Sequence, residues 1–364
     1  MKSQKRDVGN MAKAYIVLQN GQVFEGEGFG AAADAVGELV FTTGMAGYVE
    51  TLTDPSYCGQ IVMQTFPLIG NYGWIPEDAE SGACAARGYV VREWCEAPSN
   101  FRSAGTIDAY LREQGIPGVS GVNTRALTQI IREHGVMNAA ITSDPASVDL
   151  AALSAYTVKD AVASVTAKSA YTASAFEEKH HVVLIDYGVK GNIIRELQKR
   201  GCSVTVVPAF FSAEKILALN PDGIMLSNGP GDPAENTECI AVLRGLLGKK
   251  PIFGICLGHQ LLALAQGGKT AKLKYGHRGA NQPVRDLVTG RTYITSQNHG
   301  YAVLSDTISP ETGKERFQNA NDGTCEGMDY PAANAFTVQF HPEACSGPWD
   351  ARFLFDRFVK KMEG

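Results

Sequence analysis

No apolar run in the 364 residues approaches the ~18 needed to cross a bilayer as a helix. Positive charge is not in excess either. Lys+Arg number 33 against 38 Asp+Glu, a formal charge of −5. That balance counts against a nucleic-acid partner, because neutralising phosphates takes a basic surface. Paired cysteines are missing too: the eight, at 58, 84, 95, 202, 239, 256, 325 and 345, are scattered and form no CxxC. A secreted disulfide scaffold is therefore not expected, and a reduced, cytoplasmic setting is. The opening Met1-Lys2-Ser3-Gln4-Lys5-Arg6 is basic, but no apolar stretch follows, so it does not read as a signal peptide. Residues 1–13 are expected to form a tail, with Met11 as an alternative start. There is no HExxH and no EF-hand loop, so no metal is expected in this chain. Gly268-Lys269-Thr270 ends like a phosphate-binding loop, but Ala263 stands where its first glycine belongs. Gly26-Glu27-Gly28-Phe29-Gly30-Ala31 matches a dinucleotide fingerprint only loosely, and a β-turn is the expectation there.

What remains is an ordinary globular composition, 44% hydrophobic and 20% charged. At ~150 residues per domain the length suggests about two domains. Residues 14–150 read as a first, mixed α/β unit. β-type runs occur at 14–18, 38–41 and 60–63, and Thr124–His134 has apolar residues at helical spacing before Gly135. Residues 151–181 are rich in Ala and Ser and read as a linker with one short helix. From Val182 strands and helices alternate: strands near 182–186, 203–207, 223–227 and 251–255, each followed by a helix, and a terminal helix near 349–362. Such alternation predicts βαβ units and a mainly parallel sheet over 182–364. Ligands of open α/β sheets bind at the carboxyl ends of strands, which directs attention to 186–188, 228–233, 256–260 and 341–343.

Three segments at those ends carry chemistry. Gly254-Ile255-Cys256-Leu257-Gly258-His259 joins an apolar strand to a helix-forming run. This is a nucleophile elbow with cysteine in place of serine. Small residues two before and two after leave room for a strained turn. The Leu257 amide falls in the first helical turn, whose unpaired donors and positive dipole suit a nucleophilic sulfur and a developing oxyanion. A cysteine nucleophile needs a base oriented by a third group. Of the seven histidines, His341 follows a clear strand and precedes Pro342-Glu343. In extended chain i and i+2 share a face, so Glu343 can reach the His341 ring. Ser227-Asn228-Gly229-Pro230-Gly231-Asp232-Pro233 is a stiff loop whose glycines permit close backbone approach to a ligand.

Together GICLGHQ at 254–260, FHPE at 340–343 and SNGPGDP at 227–233 resemble the class I (triad) glutamine amidotransferases. The N-terminal half sharpens the likeness. FTTGMAGY at 41–48, LTDPSY at 52–57, IGNYG at 69–73, SNFR at 99–102, TRALT at 124–128, GHRGANQPV at 276–284 and QNHGY at 297–301 are similar to the small-subunit family of carbamoyl-phosphate synthetases. The resemblance implies an N-terminal mixed α/β domain and a flavodoxin-like class I glutamine amidotransferase domain. It implies Cys256 as nucleophile, His341 as base and Glu343 as orienter, with glutamine held by Ser56, Gly229, Gly231, Leu257, Gln260, Asn298, Gly300 and Tyr301. It also implies ammonia delivery to a large subunit that uses ATP, Mg2+ and bicarbonate to make carbamoyl phosphate for pyrimidine and arginine biosynthesis. No cofactor is expected in this chain. Asn123 departs from the pattern, which has Asp before Thr-Arg. Another triad amidotransferase, or a catalytically silent regulatory subunit, stands as the alternative.

Overall fold

The computed structural model describes residues 12–364; Met11 and most of the expected tail lie outside the described residues. The chain divides into two compact units. The first takes in residues up to Val49, Gly59–Glu77 and Ala86–Val158; the second takes in Glu50–Cys58, Asp78–Ala85 and Lys159–Gly364.

The first unit is a closed barrel. Around it run the strands Lys13–Leu18, Val23–Gly30, Pro117–Ser120, Gly88–Val90, Gln60–Gln64, Ala35–Thr42 and Met137–Thr142, and the last pairs antiparallel with the first. Ile61, Val62 and Met63 are all fully buried, as a strand covered on both faces requires. The glycine-rich stretch expected as a β-turn is instead the strand Val23–Gly30. It is paired on one side with Lys13–Leu18 and on the other with Pro117–Ser120. Its glycines answer to crowding: a Cβ on Gly28 would stand 3.3 Å from the Ala12 carbonyl oxygen. The helix Thr124–His134 has the predicted bounds and buries Leu127 and Ile131. Asn123 caps it, its side-chain oxygen accepting from the Ala126 amide at 3.1 Å. An amide oxygen serves that role as well as a carboxylate, so the departure at Asn123 costs the helix nothing.

The second unit is built on a ten-stranded sheet, mainly parallel at its core as the alternation predicted. The strands Cys202–Pro208, His180–Asp186, Gly223–Leu226, Ile252–Ile255 and Ala335–Val338 lie side by side in parallel. Beyond them Cys325–Tyr330, Lys314–Asn319, Lys269–Asp286 and Thr292–Leu304 continue antiparallel. Residues 151–181 hold more structure than one short helix: a helix Ala161–Val165 and a strand Tyr171–Ala173 that pairs with Cys202–Pro208 at the sheet edge.

Period-two alternation sorts the core strands between two faces. Val183, Ile185, Ile224 and Leu226 join one apolar cluster with the helix Leu257–Ala265. Val182, Leu184, Met225, Phe253 and Phe336 join the other. There Phe253 stacks on Phe336 at 4.4 Å and meets Phe355 and Phe358 of the terminal helix Phe353–Glu363. Covering both faces fixes the heights of the strand ends, and the loops at those ends inherit that rigidity.

Candidate active site

Cys256 lies between the strand Ile252–Ile255 and the helix Leu257–Ala265 with φ +52° and ψ −103°. A non-glycine residue there costs about 1–3 kcal/mol and persists only where its surroundings impose it. They do. The Cys256 amide donates to the Val338 carbonyl at 2.9 Å, and its own carbonyl accepts from the Gln260 amide at 3.2 Å. The flanking glycines are needed for space. A Cβ on Gly258 would come within 2.6 Å of the Leu226 carbonyl oxygen, and one on Gly254 within 2.9 Å of Thr337. The Cys256 sulfur is nearly buried and lies 3.7 Å from the Asn298 carbonyl oxygen. Elsewhere burial, as the main cause, pushes the thiols of Cys202 and Cys239 up to about 11 and about 12, the mark of inert cysteines.

His341 follows the strand Ala335–Val338, and its amide donates to the Ser296 carbonyl at 2.9 Å. Its Nδ1 lies 2.7 Å from Oε1 of Glu343. With the carboxylate as acceptor, Nδ1 carries a proton, and in the neutral ring Nε2 bears the lone pair. That Nε2 makes no hydrogen bond of ordinary geometry. Burial and the Lys190 ammonium disfavour a charged ring, but Glu343 and the Cys256 sulfur outweigh them, and the His341 pKa is raised. Catalytic hydrogen bonds are often loose before substrate arrives, so the open Nε2 suits a base awaiting its reactant.

Glu343 is completely buried, yet the Lys190 ammonium 2.6 Å from the same Oε1 keeps it ionised. Burial opposes the charge, but Lys190 and His341 hold the carboxyl well below the usual carboxylate range. Lys190 follows the strand His180–Asp186, one of the strand ends singled out above, but no motif marked it. The Asp54 and Glu80 carboxylates nearby also favour its positive charge. The Asn192 side chain donates to the Glu343 carbonyl, and the Glu80 carboxylate accepts from the Asn192 amide at 2.9 Å. Sequence reasoning missed Lys190, Asn192, Glu80 and Asp54: only Lys190 lies just past a strand end, while Asn192 lies in the first turn of a helix, Asp54 caps a short turn and Glu80 sits in a loop, so no local signal marked them.

The residues expected to hold glutamine fall into connected sets. Ser56, carried by the turn Pro55–Tyr57 of the second unit, accepts at Oγ from the Asn228 side chain at 2.9 Å. Asn228 in turn accepts from the Lys190 amide at 3.1 Å. Gly229 packs so closely on the start of the helix that a Cβ would meet Leu257 at 2.8 Å. Gly231 takes φ +87°, which glycine alone adopts without strain. Asn298, Gly300 and Tyr301 share the strand Thr292–Leu304. Asn298 donates to Asp54 at 3.0 Å, and Gln260 donates to the Tyr301 carbonyl at 2.9 Å. His259, inside the elbow motif, is bonded through Nδ1 to Thr337 at 2.7 Å, and burial pushes its pKa down to about 3. It is a neutral structural histidine.

The parallel sheet, the strained cysteine on its strand-to-helix turn and the buried His–Glu pair define a class I glutamine amidotransferase domain. The model of glutamine amidotransferase class-I matches residues 183–361, and that of the carbamoyl-phosphate synthase small chain, CPSase domain, matches residues 16–141. Carbamoyl phosphate synthase small chain of Clostridium perfringens is 51% identical over 350 residues, covering 96% of this chain and 99% of its own. The pyrimidine-specific small chain of Bacillus subtilis is 50% identical over 354 residues, 96% of each, and the small chain of Listeria monocytogenes is 48% identical over 357 residues, 97% of this chain and 98% of its own. The crystal structure of a putative GMP synthase chain of Thermoplasma acidophilum aligns with a TM-score of 0.44 at 22% identity over 50% of this chain and 94% of that one. The chain belongs to the carbamoyl phosphate synthase small-chain family. Among the described residues no helix is long and apolar enough to cross a membrane.

Proposed function

We propose that this chain hydrolyses glutamine at Cys256 and hands the ammonia to a large, ATP-using subunit that makes carbamoyl phosphate from bicarbonate. The observation that carries the reading is Cys256 held at φ +52° at the mouth of a helix, in the same buried site as the His341–Glu343 pair.

The chemistry follows from those positions. Nε2 of His341 takes the thiol proton, and Sγ attacks the side-chain amide carbon of glutamine. Negative charge develops on the amide oxygen. The amides of Leu257, at the helix start, and of the 229–231 loop are the donors for it. The C–N bond then breaks, and ammonia leaves with the proton held on Nε2. A γ-glutamyl thioester remains on Cys256. His341 next takes a proton from water, the hydroxide attacks the thioester carbon, and sulfur departs to release glutamate. Glu343 stabilises the imidazolium formed in each half. Ser56, Gln260, Asn298, Gly300 and Tyr301 are assigned to glutamine, with Ser56 and Asn298 oriented by Asn228 and Asp54. Supply of carbamoyl phosphate to pyrimidine and arginine synthesis, and a cytoplasmic location, belong to the same reading.

The test is Cys256→Ala in the assembled complex. Glutamine-dependent synthesis should stop while ammonia-dependent synthesis continues; retention of the glutamine-dependent rate would defeat the proposal.

A further inference from the structure

A second polar cluster in the second unit plays no part in the chemistry above. His277 and His299 face each other across the paired strands Lys269–Asp286 and Thr292–Leu304, and Glu326 comes from Cys325–Tyr330. One ligand-type atom from each lies within 4.8 Å of the other two. Glu326 and the His299 side chain are all but inaccessible, and His277 is largely covered.

The outer partners set the tautomers. The Tyr301 carbonyl oxygen lies 2.8 Å from His299 Nδ1, so the proton is there and Nε2 bears the lone pair. Asp322 Oδ2 lies 2.7 Å from His277 Nε2, so its proton is there and Nδ1 bears the lone pair. Both lone pairs then point at a carboxylate: His277 Nδ1 is 3.4 Å, and His299 Nε2 3.7 Å, from Glu326 Oε1. His299 Nε2 also faces the Gln297 side-chain oxygen at 3.3 Å. Glu326 Oε1 has one long bond from Asn319 at 3.4 Å, and buried Oε2 has no partner. With both rings neutral, these acceptors converge with only the long Asn319 donor among them, which is costly in a buried place. Their spacing is that of ligands around an ion: bonds of about 2.1 Å in a tetrahedron put ligand atoms about 3.4 Å apart. Each histidine also has the arrangement of a metal ligand, its far nitrogen held by a carboxylate or carbonyl.

We propose that His277 Nδ1, His299 Nε2 and Glu326, with the Gln297 oxygen or a water as fourth donor, bind a first-row divalent cation of the zinc type. Two imidazoles and a carboxylate suit Zn2+ over Mg2+ or Ca2+. The ion would tie three strands of the sheet together beside Asn298, Gly300 and Tyr301. No local motif marks the site, because its ligands come from three strands.

The experiment uses the full chain without a polyhistidine tag, stripped with a chelator and titrated with Co2+ as a spectroscopic probe. The expected result is a single equivalent bound, with the intense visible bands of four-coordinate Co2+ and no sulfur-to-metal charge transfer. His277→Asn and Glu326→Gln should abolish that uptake, and Asp322→Asn should weaken it about 10–100-fold. Asp322 is half exposed, so its variant keeps the comparison valid if a ligand variant does not fold. Absence of stoichiometric uptake by the wild-type chain would overturn the proposal. So would a charge-transfer band marking thiolate ligation, or uptake unchanged in Asp322→Asn.

Discussion

Replacing Glu343 by Gln removes one negative charge and almost no volume from a completely buried position. Both partners of the carboxylate, Lys190 Nζ at 2.6 Å and His341 Nδ1 at 2.7 Å, lean on the same oxygen. In the reaction as proposed, His341 is an imidazolium in both half-reactions, and Glu343 is the anion that faces it. A unit charge pair at ~4 Å and an effective dielectric near 20 is worth about 4 kcal/mol. The amide oxygen of Gln still accepts from Nδ1, which recovers about 1 kcal/mol. The net loss of about 3 kcal/mol corresponds to a fall in kcat of about 10²-fold. The orphaned Lys190 charge opposes protonation of His341 and adds to the loss. The assay is glutamate release from glutamine by the assembled complex, with ammonia-dependent synthesis as the internal control and circular dichroism to show a folded chain. Glutamine turnover should fall about 10²–10³-fold while the ammonia rate is unchanged. Turnover within about threefold of wild type would refute the role given to Glu343.

Lys190→Met in the Glu343→Gln background should recover about tenfold in glutamine turnover, since it removes a buried cation that no longer has its main partner; a double-mutant cycle showing simple additivity would count against the coupling. The pH dependence of stability has a defined sign. The Glu343 pKa is lower folded than unfolded, so its contribution is fully present above the ordinary value of 4.5 and is lost as pH falls toward about 2. The gap in unfolding free energy between wild type and Glu343→Gln should therefore be widest above pH ~5 and shrink on acidification, as read by urea titrations. Gly258→Ala drives a methyl to within 2.6 Å of the Leu226 carbonyl oxygen. It should cost about 1–3 kcal/mol of stability and most of the glutaminase activity, measured by thermal melts and glutamate release. Ser56→Ala removes the acceptor of the Asn228 side chain and should raise KM for glutamine about 3–10-fold with a smaller change in kcat.

Local chemistry made much of this protein legible from its residues. The helix Thr124–His134 declared itself by apolar spacing and by Gly135 at its end, whereas the capping role of Asn123 emerged only in the fold. The buried parallel strands declared themselves as short apolar runs, and the elbow as glycines two positions either side of Cys256. His341 and Glu343 were legible as a pair because extended chain puts i and i+2 on one face. These signals span a few residues, and backbone geometry alone converts them into structure. The glycines at 26, 28 and 30 misled because a crowded strand and a turn ask for the same residue.

The rest was decided by tertiary structure. The barrel closes through pairing of Lys13–Leu18 with Met137–Thr142, a register no local pattern encodes. The segment Glu50–Cys58 belongs to the second unit, where Asp54 meets Asn298 and Ser56 meets Asn228. Lys190 gains its meaning only when the sheet brings two strand ends together and sets its ammonium on Glu343. The His277–His299–Glu326 cluster likewise forms only once three strands are in register. Sequence determines which residues can be strained, charged or nucleophilic. Which charges share a buried volume, and therefore how each is tuned, depends on distances that only the packed chain sets.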